Sequence, residues 1–233
     1  MGMVLAGLGA LAAVAVALVI ARRGGHGAAQ LPTVASAGIA WSAGVSLAFG
    51  AALRAIRRDR AEGVVALVRA RGGSPGAYAR GRVGGLVVVL AIAVGGATLV
   101  AGVAATAAAA SESGSAAWAS CAAMVYALAF AAVVGPVAMA ALGTRTRAGG
   151  YLSFLAILAV PELLARWTRE LLPTGWGELT SIPAALSAVR AGVLSPGVAG
   201  VPAARAAAEL MAIAALSLAV VRARSSAPEG DEP

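Results

Sequence analysis

RAIRRDRAEGVVALVRARGGSPGAYARGR, Arg54 to Arg82, is the one long polar interruption in the first two-thirds of a strongly apolar chain. It carries Arg54, Arg57, Arg58, Arg60, Arg69, Arg71, Arg80 and Arg82, offset only by Asp59 and Glu62. Val64, Val65, Leu67 and Val68 form a short apolar run in its middle. The runs on either side are long enough to cross a bilayer, which takes about 20 apolar residues. The stretch therefore reads as a loop between membrane spans.

Composition supports that reading. Of 233 residues, 60% are hydrophobic and 12% charged, and the mean hydropathy is +0.87. A soluble globular chain carries about 25% charged residues. The expected fold is all-α and polytopic, with about six transmembrane helices. A β-barrel is excluded because the apolar runs are long and do not alternate. The net charge of +8 comes entirely from Arg. With so much Ala and Gly, this reflects a GC-rich coding bias, and no soluble basic patch with interleaved aromatics invites nucleic acid. Cys121 and His26 stand without companions, so neither a zinc site nor a serine hydrolase base is expected, and no cofactor is assigned to this chain.

In chain order, spans are predicted near 3–21, 34–53, 83–110, 118–142, 151–165 and 203–221, in a single transmembrane domain 1–224. A disordered cytoplasmic tail, 225–233, comes after them. Met1-Gly2-Met3 lacks the basic start of a signal peptide, so the first run is taken as a span. Trp41 sits mid-span, where it serves packing, and Pro136 predicts a kink. The fifth run is short, and Pro161-Glu162 predicts a helix broken near one membrane face. An external segment over 166–202 comes next, with Trp167 and Trp176 suited to an interfacial belt. Within it, Ser181-Ile182-Pro183 opens a short helix through about Leu194.

Twelve of the eighteen Arg fall on the side that holds Arg54–Arg82, the 143–150 loop and the C-terminal tail. The positive-inside rule places that side, with both termini, in the cytoplasm, although Arg22 and Arg23 run against it. On the opposite side, Glu162, Arg205 and Glu209 are candidates for an external ion pair or vestibule. Arg205 and Glu209 stand four residues apart, a spacing that allows pairing on one helix face.

The polar stretch has an internal order: a basic run with Asp59, then Glu62-Gly63, an apolar helix with Leu67, Ser74-Pro75, Tyr78, and Gly81-Arg82 opening the next span. This resembles the first cytoplasmic loop of the membrane subunits of type-2 ABC transporters. Here the acid and glycine are adjacent where that family spaces them, and the Ser-Pro order is reversed. The resemblance implies a permease subunit in a prokaryotic cytoplasmic membrane, an exporter by kinship. It also implies a separate ATPase subunit carrying ATP and magnesium, and a second copy of this chain or a related permease. A chain without Lys has no phosphate-binding Gly-x-x-x-x-Gly-Lys loop of its own. The ATPase-coupling interface would comprise Arg58, Arg60, Ala61, Glu62, Gly63, Val64, Val65, Leu67, Val68 and Arg71. Ala61, Val64, Val65 and Val68 are expected on one helical face, flanked by Arg. Two readings without an ATPase stand beside this one: a basic helix lying in the lipid headgroups, and a secondary transporter, a class also marked by broken helices.

Overall fold

The computed structural model describes residues 2–22, 27–109, 112–143, 147–171 and 181–226. Among them every regular element is helical. Helix α1 spans Gly2–Arg22, and a 3-10 turn at Ala28–Gln30 leads into α2, Leu31–Ile39. A π turn, Ala40–Gly44, joins α2 to α3, Val45–Ala61. The short α4 is Val64–Ala70, and α5 is Pro75–Leu90. A second π turn, Ala91–Gly95, continues α5 into α6, Gly96–Ala108. Then come α7, Ser113–Leu142; α8, Arg147–Leu171; α9, Ile182–Leu194; and α10, Pro196–Ser226.

Five helical stretches are long and apolar enough to cross a membrane: Gly2–Ala21, Ala28–Leu53, Pro75–Ala108, Ser113–Leu142 and Pro196–Ser225. Two shorter apolar helices, Gly149–Leu164 and Ile182–Leu194, accompany them. Large apolar side chains such as Leu11, Val34, Leu152 and Leu216 are exposed on the outside of the bundle. A water-soluble surface does not carry apolar area on this scale. This is the architecture of a membrane-embedded, multi-pass helical protein.

Helix α7 is the axis of the packing, with every residue from Val133 to Leu142 buried. Lipid supplies no hydrophobic drive between helices, so close approach at small residues does the work. A Cβ added to Gly102 would lie 2.9 Å from Ser120 Cβ, and one added to Gly135 would lie 2.8 Å from Val87 Cγ2. These two contacts fix α5–α6 antiparallel to α7 over its whole length. Gly76, at the start of α5, lies against Arg222 near the end of α10, where an added Cβ would be 3.5 Å from the Arg222 Cγ. The polar turn and the basic end of α10 therefore share one end of the bundle, called here the turn end. At the far end Ala28, Ala109 and Ala116 form a small separate cluster with Ile20.

Several expectations are corrected. The third helix starts at Pro75, eight residues before the expected span, because Ser74 caps it: its hydroxyl accepts from the Ala77 N–H at 3.0 Å. Helix α8 is not broken at Pro161 but runs on to Leu171. A proline removes one backbone hydrogen bond, and in an apolar surround the remaining backbone groups find no better partners than those of the helix. The expected short helix does begin behind Ser181, which caps it, with Pro183 in its first turn. It lies inside the bundle, with Ile182, Ala185 and Leu186 buried, and not flat on a surface. It runs antiparallel to α10: an added Cβ on Gly192 would lie 2.2 Å from Ala203 Cβ. His26, Arg145 and Trp176 lie outside the described residues, and so does the 225–233 tail beyond Ser226.

The two π turns, unsuspected from sequence, meet at the centre. A Cβ on Gly44 would fall 2.5 Å from Phe130 Cε1 and 3.0 Å from Val94 Cγ2. Gly44→Ala should thus destabilise the protein by about 1–3 kcal/mol through overpacking. Gly84→Ala, whose added methyl meets nothing within 4 Å, should be neutral or slightly stabilising. Thermal unfolding in detergent measures both, and equal effects would show that the central approach is looser than described.

Candidate functional site

The site is built at the turn end, where α3 runs out past its apolar half. The helix is stopped by Gly63, at φ 69°, a left-handed conformation that only glycine adopts without strain. The chain then turns and starts α4 at Val64. This corrects one expectation: Ala61 is the last residue of α3 and does not share a face with Val64, Val65 and Val68. The side chains of Arg60 and Ala61 lie outside the described residues.

Helix α4 ends as sharply as it begins. Gly72, at φ 76°, comes after the last turn; its N–H donates to the Arg69 carbonyl at 3.0 Å, and the Gly73 N–H donates to Val68 at 2.8 Å. That pair of bonds satisfies carbonyls that the helix end would leave open. Between these two glycine stops, α4 buries no residue at all. Leu67 is 51% exposed; Val64, Val65 and Val68 are half-buried, and Arg69 and Arg71 are exposed. The helix is therefore a short apolar-and-basic projection carried by α3 and α5.

What holds those carriers together is Asp59, which is 3% exposed. Its Oδ2 accepts from the Tyr78 hydroxyl at 2.7 Å and from Arg82 Nε at 2.8 Å, while its Oδ1 accepts from Arg82 Nη2. Arg82 Nε also reaches the Tyr78 oxygen at 3.0 Å, and the guanidinium stands 5.6 Å from the Tyr78 ring centroid. Tyr78 and Arg82 are four apart, so both point from one face of α5 toward the end of α3. A two-pronged Arg–carboxylate pair is among the strongest polar contacts available.

Arg58 and Glu62 form a second, exposed pair at 2.6 Å along α3. Glu62's hydrogen bond, and next its charge, hold the Arg58 guanidinium above its ordinary value. Being solvated, that pair orients side chains more than it stabilises the fold. The sequence singled out Tyr78 and Arg82 only as motif positions and missed Asp59. The available signal was an acid alone in a basic run, facing an aromatic and an Arg at helical spacing.

The three acid and base candidates from the opposite side are not brought together as one site. Glu162, on α8, accepts from the Ser181 hydroxyl, and so ties the start of α9 to the middle of α8. Ala206 and Leu210 face the core from α10, and Arg205 and Glu209 flank that face. Their side chains part: Arg205 is exposed, and Glu209 Oε2 is buried with no hydrogen-bond partner among the described residues. The expected Arg205–Glu209 ion pair is absent from the described contacts.

No family model, no curated protein and no solved structure matches this chain.

The clasp makes a graded prediction. Asp59→Ala strands the Arg82 and Tyr78 donors and should cost about 1–3 kcal/mol in thermal unfolding. Glu62→Ala, which removes only an exposed partner, should leave the unfolding midpoint unchanged. A midpoint insensitive to Asp59→Ala would remove the clasp from the account.

Proposed function

We propose that this chain is the membrane-spanning permease subunit of an ATP-binding-cassette transporter, driven by a separate ATPase that docks on α4. The observation that carries the reading is a helix with no buried residue, stopped by glycine at both ends and seated on two long helices clasped by Asp59. Such a helix contributes little to the core, so its exposed Leu67 and flanking Arg are free for a partner. An ATPase groove takes an apolar anchor such as Leu67, and acidic residues on its rim meet Arg58, Arg69 and Arg71. A rigid base is needed as well, since a docking helix on a slack loop would dissipate a push before it reached the spans.

On this reading the turn end is cytoplasmic, with the N and C termini on the same side of a prokaryotic cytoplasmic membrane. ATP and magnesium belong to the partner, and a second copy of this chain or a related permease completes the pathway. Export is the direction that the sequence resemblance implies.

The test is co-expression with a candidate ABC ATPase subunit, then affinity purification and measurement of ATP hydrolysis. Leu67→Asp places a charge at the proposed anchor and should weaken association roughly 30-fold or more, removing any stimulation of hydrolysis. Its unfolding midpoint should stay that of wild type, because Leu67 is largely solvent-facing. Undiminished co-purification and stimulation by Leu67→Asp would refute the docking role and leave α4 as a helix at the lipid headgroups.

A further inference from the structure

We draw no further inference here: the strongest candidate, the outward face of α10 on which Val201, Arg205, Ala208 and Met211 stand exposed, is an unpartnered helix face, and nothing in the structure shows what covers it.

Discussion

The carboxylate of Asp59 is buried at the end of a long helical rod formed by α2, the π turn and α3. An uncompensated carboxylate there would be expensive. It is held because the Tyr78 hydroxyl and two nitrogens of Arg82 converge on it from the next helix. That contact fixes the distance between the end of α3 and the start of α5. With the two stems pinned, the chain between them has no freedom to unravel, and the glycine stops at Gly63 and Gly72 turn it into a compact projecting helix. Nothing in α4 itself has to be buried for this to hold.

From that end the packing runs along α7 to the centre. There the π turns at Ala40–Gly44 and Ala91–Gly95 let Gly44 approach Phe130 and aim Trp41 at the Tyr126 hydroxyl. A π turn adds a residue to the helix and rotates the next turns about its axis, and such turns concentrate where a side chain must be re-aimed. Beyond the centre, α9 enters from the middle of α8, tied there by Ser181 and Glu162, and runs back along α10 toward the far end. Arg190 is delivered by this inner helix to the first turn of α2. A rod about 46 Å long by helical rise thus has a polar contact toward each end, the Asp59 clasp and the Arg190 bond to the Thr33 carbonyl.

Much of this was legible in the sequence. The long apolar runs gave the helices, Ser74-Pro75 and Ser181-Ile182-Pro183 marked helix starts, and the mid-span position of Trp41 pointed to packing. The expectations that failed had physical causes. Pro161 reads as a breaker, but a helix surrounded by apolar groups keeps its remaining backbone bonds, so α8 continued. Arg205 and Glu209 have pairing spacing, yet one faces out and the other turns an oxygen inward. Helix α9 was expected in an external segment after α8, yet its Ile182, Ala185 and Leu186 are buried in the bundle. Asp59 stood out only as an acid alone in a basic run, and its partners Tyr78 and Arg82 come from the next helix; the Arg190–Tyr126 contact joins residues far apart in the chain, and no local pattern announces it.

The claim at the centre is that α4 is a cytoplasmic surface which a partner covers, and single-cysteine labelling tests it most directly. Cys121, exposed on α7, is replaced by Ser, and Leu67→Cys supplies the only thiol. A membrane-impermeant maleimide should label inverted vesicles and not right-side-out ones, and a bound ATPase should protect the thiol. Labelling from the outer face, or labelling that a stimulated ATPase leaves unprotected, would contradict the account.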